Sequence, residues 1–147
     1  MSRCYDAGTH GQVGVDAGAQ YAPSMAAIAR MRSVVFDCPD TRVLAEFYRD
    51  LLGWEITYAG YDEPDGWAVV SDGTHQIGFQ RATDYRPPTW PDPAVPQQLH
   101  LDLAVDDLDT SEADAVKLGA RKSPEQPSPA EYRVFLDPAG HPFCLCL

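Results

Sequence analysis

At 147 residues the chain has the length of one domain and can bury a sizeable core. Its apolar content of 44% is ordinary for a globular protein, and its formal charge is −11. An anionic domain of this kind repels phosphate backbones and anionic membrane surfaces, so nucleic-acid binding is excluded as the expected role. No apolar run approaches the roughly 20 residues that a membrane helix needs, and the first 30 residues carry no apolar stretch of the secretory kind. A cytoplasmic protein is the expectation.

Residues 1–30 are rich in Gly and Ala without a period, and read as a flexible N-terminal extension to a domain spanning 31–147. Ser33–Cys38 is β-branched and aromatic, a strand. Asp40 follows as an N-cap, and Leu44, Phe47, Tyr48, Leu51 and Leu52 fall at helical spacing before Gly53 closes the helix. Strands are predicted at Trp54–Tyr58, Trp67–Ser71 and Gln76–Arg81, the last two joined by the tight turn at Asp72-Gly73. Residues 82–97 hold five prolines and no period, which predicts a stiff linker. Its Tyr85 and Trp90 are expected to pack against the body.

The second half repeats the first. Gln98–Val105 reads as a strand, Asp107 caps a helix running to Leu118, and Gly119 ends it. A short strand near Arg121, a strand at Tyr132–Leu136, the turn 137–140 and a strand at Pro142–Cys146 complete the set. Asp40 and Asp107 differ by 67 positions, whereas Gly53 and Gly119, and likewise His75 and His141, differ by 66. Two strand–helix–three-strand modules, 31–81 and 98–147, are thus related by an internal repeat.

Strand alternation sorts the side chains onto two faces. Val34, Phe36, Ile77, Phe79, Leu101, Leu103, Phe143 and Leu145 form an apolar face fit to lie under helices. The opposite face presents Ser33, Val35, Asp37, Gln80, His100, Asp102, Ala104, Cys144 and Cys146. Polar groups on the inner side of a curled sheet are costly unless they meet water or ligand, so a hydrated pocket is expected there. Trp54, Trp67 and Trp90 are further candidates for stacking on a planar ligand. His100, with Asp102 to orient it, is the candidate catalytic pair. His75 and His141 read as solvated turn residues. The four cysteines, Cys4, Cys38, Cys144 and Cys146, form no CxxC and are expected to be reduced thiols.

The runs DTRVLAEFYRDLLGW (40–54), HLDLAVDDLD (100–109) and DPAGHPFCLC (137–146) resemble motifs of the glyoxalase/bleomycin-resistance/extradiol-dioxygenase superfamily. The resemblance implies an α+β fold, two βαβββ modules forming a curled mixed sheet around a central cavity, with homodimers common. It implies metal ligands at four positions, which fall here on Ser33, Gly78, His100 and Cys144. Glycine offers no donor and serine a poor one, so the usual site is absent; a divalent metal, if one is held, falls to His100 with Cys144. The expected function is therefore a glyoxalase-like small-molecule-binding protein with a degenerate or absent metal site. The alternatives are a metal-dependent lyase, isomerase or dioxygenase using His100, and a stress or regulatory protein with a vestigial pocket.

Overall fold

The computed structural model describes residues 28–147; the extension expected over residues 1–30 lies almost wholly outside them. The elements are β1 (Val34–Cys38), α1 (Thr41–Leu52), β2 (Glu55–Gly60), β3 (Trp67–Ser71) and β4 (Gln76–Arg81), then β5 (Leu101–Ala104), α2 (Leu108–Leu118), β6 (Arg121–Lys122), β7 (Tyr132–Leu136) and β8 (Pro142–Cys146). Each module makes its own four-stranded sheet, in the orders β1-β4-β3-β2 and β5-β8-β7-β6, and the two sheets are not closed on one another. Within each, the first strand runs parallel to the last and the other pairs are antiparallel. Among the described residues no helix is long and apolar enough to cross a membrane.

The helix ends follow the sequence closely. Asp40 accepts from the backbone N–H groups of Arg42 and Val43 at 2.9 and 3.1 Å, and Asp107 from that of Thr110 at 2.7 Å. Gly53 and Gly119 close the helices at φ 66° and 111°, backbone that a side chain would strain. Two strand boundaries differ from expectation. β2 runs on to Gly60 through an irregularity between Ile56 and Tyr58. β5 is only four residues long, which leaves His100 immediately before its first residue.

The apolar faces of both sheets turn toward each other across the helices. Phe36 and Phe79 stack on Tyr48 of α1 at 5.8 and 5.6 Å between ring centroids, and Phe47 meets Phe143 of β8 at 6.0 Å. One core therefore runs through both modules, and the polar faces point away from it. Tyr48 is fully buried, with its hydroxyl 3.1 Å from Oδ2 of Asp137, itself fully buried in the turn between β7 and β8. That bond ties α1 of one module to the last hairpin of the other.

Tyr48→Phe removes one donor from a buried carboxylate and is expected to destabilise the fold by about 1–3 kcal/mol in urea titrations. The transition should stay single, because the core is continuous. Separate transitions for the two modules would contradict a shared core.

Candidate functional site

Parallel pairing of β5 with β8 sets Asp102 opposite Cys144, and strand alternation brings His100 onto the same face. His100 Nε2 lies 3.4 Å from Asp102 Oδ1, and the donor atoms of His100, Asp102 and Cys144 all fall within 4.8 Å of one another. The imidazole and carboxylate are partly open to solvent, while Cys144 is buried. Around the thiol stand Tyr132, Val134 and Cys146, with Trp90 of the linker packed against them. Burial and the adjacent Asp102 carboxylate push the Cys144 thiol up to about 12. It is a neutral thiol at physiological pH and no nucleophile unless a cation joins it.

The other polar residues gather elsewhere. Asp37 and Gln80 are partners in the β1–β4 register, and with Val35 they line a cavity of about 890 Å³. The linker supplies the facing wall, including Tyr85 and Arg86, and His141 closes one side. Ser33 lies in neither place; it borders a smaller apolar hollow with Val34, Trp54, Leu101 and Leu103. Trp67 occupies the site that the resemblance assigns to a first-module ligand. A Cβ built on Gly78 would sit 2.9 Å from Trp67 Cζ2, so the missing side chain lets the indole lie over the strand. The single hydrated pocket expected from alternation is in fact two places, the cavity and the His100 cluster.

Three expectations need correction. His75 is exposed and bonded to Asp72, as a turn histidine should be, but its repeat partner His141 is only 12% exposed and is held at both ring nitrogens. The repeat misleads because the linker covers just one of the two turns. Pro87 sits where a Cβ on Gly140 would come within 2.8 Å, and Tyr85 reaches His141. Trp54, offered as a ligand-stacking ring, stacks on His75 instead, at 6.4 Å. Cys38 and Cys144 are free thiols as expected, whereas Cys146 is disulfide-bonded and Cys4 lies outside the described residues. The signal that sequence reading passed over is the buried turn Asp137–Gly140, whose aspartate faces a tyrosine in the other module.

A glyoxalase-like domain model matches residues 33–146. The chain belongs to the glyoxalase-like domain family. No curated protein sequence matches it. Among solved structures, it is similar to the fosfomycin resistance protein FosX from Mesorhizobium loti, at 19% identity and TM-score 0.60 over 82% of this chain and 92% of that one. A Listeria monocytogenes FosX mutant complexed with Mn(II) and a dihydroxypropylphosphonic acid is 16% identical, with TM-score 0.61 over 82% and 92%. The glyoxalase family protein from Enterococcus faecalis is 18% identical, with TM-score 0.59 over 82% and 98%. At these identities the likeness is one of fold, the fold of the vicinal oxygen chelate superfamily. The glyoxalase-like fold thus agrees with the motifs, while the residues at its ligand positions are this chain's own.

Burial also pushes the Cys38 thiol up to about 12, from an ordinary value of 9.0. Iodoacetamide at pH 8 should leave Cys38 and Cys144 unmodified in the native protein and label both after denaturation, read by peptide mass spectrometry. Both folded values are raised, so their contribution to stability is full below about pH 9 and lost as pH climbs toward about 12. Native labelling of Cys144 at the rate of a free thiol would contradict this environment.

Proposed function

We propose that the chain is a glyoxalase-like small-molecule-binding protein, a cytoplasmic homodimer, whose ligand enters the cavity between β1, β4 and the linker. The observation that carries this reading is the cavity itself. Its volume of about 890 Å³ falls in the range of small-molecule sites, and its wall combines apolar surface with Asp37, Gln80 and Tyr85. Gly78, with Trp67 over it, favours binding without a metal, since that first-module position offers no donor. The homodimer reading is supported by the outward polar faces, on which Val35 and Tyr58 stay 40% and 45% exposed in a single copy.

A second reading is favoured by the His100 cluster. One imidazole, one carboxylate and one thiol within 4.8 Å fit a four-coordinate zinc-like ion with an open position. They fit an octahedral ion that prefers oxygen and nitrogen donors less well. A bound ion would act there as a Lewis acid, the chemistry of a metal-dependent lyase or isomerase. Of the chain's own groups, Cys144 would give up its proton on binding, Asp102 would hold His100 in place, and Trp90 would keep water from the sulfur.

Elemental analysis of protein purified without added metal separates the two readings. The leading one predicts no stoichiometric metal. One tightly bound divalent ion per chain, lost in His100→Ala, selects the second, and its affinity should then rise with pH as the thiol proton becomes easier to displace. In a thermal-shift screen, a ligand present at 100 times its Kd should stabilise the fold by about 2.7 kcal/mol. That shift should shrink in Gln80→Ala and Asp37→Ala. Shifts indifferent to both substitutions would place the ligand outside the cavity.

A further inference from the structure

Neither reading gives a task to His141 and Asp137, which stand behind Tyr85 at the cavity's side wall. The fully buried carboxylate of Asp137 accepts from five donors. Its Oδ1 takes the backbone N–H groups of Ala139, Gly140 and His141 at 2.9, 2.8 and 2.9 Å. Its Oδ2 takes the Tyr48 hydroxyl at 3.1 Å and His141 Nδ1 at 2.9 Å. With three backbone N–H groups on one oxygen and a hydroxyl on the other, this carboxylate can only accept. The proton of a neutral His141 ring therefore sits on Nδ1, which leaves Nε2 as an acceptor. Tyr85 Oη lies 3.0 Å from Nε2 and donates to it. Phe36, edge-on at 4.9 Å, holds the ring in place.

With its proton committed to His141, Tyr85 has lone pairs free for a donor in the cavity it lines. We propose that Tyr85, His141 and Asp137 form a proton-accepting relay acting on a cavity-bound ligand with a hydroxyl or a C–H next to a carbonyl. This rests on the reading that the cavity binds a small molecule. In the step, the ligand's O–H or C–H bond breaks and its proton bonds to Tyr85 Oη. The phenol proton passes at the same time to His141 Nε2, and the ligand keeps the electron pair as an alkoxide or enolate. The imidazolium so formed faces the buried charge of Asp137, which offsets its cost. A free tyrosinate is not involved, because burial and the Asp137 charge hold the Tyr85 phenol well above its ordinary value. Tyr85 is the catalytic group here; His141 and Asp137 act through it.

The test uses hydroxyacetone, an α-hydroxy ketone, with the full chain in D₂O. Proton NMR follows exchange of its methylene hydrogens, while amide spectra follow its binding through shifts at Gln80 and Tyr85. Wild type should speed exchange at least tenfold over buffer. Tyr85→Phe, which removes one oxygen from a part-exposed ring, should lose at least tenfold of that gain with the probe still bound. In the ligand-free protein, ring ¹⁵N spectra should show His141 protonated at Nδ1, and Tyr85→Phe should move the Nε2 signal. Binding without accelerated exchange, or equal exchange by wild type and Tyr85→Phe, overturns the relay and leaves the binding reading standing. Neither shifts nor exchange overturns both, and a ring protonated at Nε2 alone overturns the relay by itself.

Discussion

A buried carboxylate with five hydrogen-bond donors fixes much of this molecule. Asp137 closes its own turn with three backbone N–H groups, reaches α1 of the other module through Tyr48, and orients His141 toward the linker. An ionised group in the interior is tolerated only when its lone pairs are filled. Removing any one donor therefore costs more than an ordinary hydrogen bond. The two modules, the last hairpin and the linker meet at this one residue. Their relative placement is specified chemically as well as by the apolar contacts of Phe36, Phe47 and Phe143.

The linker then decides what the outward faces can do. Tyr85 and Pro87 pack on the turn of the second module and turn its histidine inward. Trp90 packs on the sheet face beside Cys144. The rest of the segment walls the cavity over Asp37 and Gln80. A proline-rich chain suits this work because its conformational entropy is low before folding, so holding it against the body costs less. The same segment thereby walls one site on one side and leaves His100 and Asp102 of the other partly open.

Much of the fold is legible in the sequence because it rests on local rules. Asp40, Asp107, Gly53 and Gly119 mark the helix ends through capping chemistry, and the two-residue alternation of Val34, Phe36, Ile77 and Phe79 marks the buried face. The juxtaposition of His100, Asp102 and Cys144 follows once β5 is parallel to β8. What alternation cannot supply is where a face meets other chain. It puts Asp37 and His100 in one set, yet the linker's path separates them, and that path has no period to read. His141 fails for the same reason, since a residue's burial in a turn depends on which distant segment covers it.

The charge around Asp137 constrains the chemistry open to the cavity. Tyr48, Tyr85 and Cys38 all have their proton affinity raised by burial, with the Asp137 charge adding to it, so each stays protonated. No lysine lines the cavity, and its arginines, Arg81 and Arg86, are matched by Asp37, Asp65 and Asp84. On a chain of net charge −11, such a site disfavours a strongly anionic ligand that arrives without a cation. The Listeria FosX structure holds its phosphonic acid together with Mn(II). Among the described residues, the cluster His100, Asp102 and Cys144 that could hold a metal lies outside the cavity. On the binding reading, a neutral, hydroxylated ligand is therefore better matched to the cavity than a phosphonate: the protonated Tyr85 phenol and the Asp37 carboxylate recognise it without bringing in an uncompensated charge.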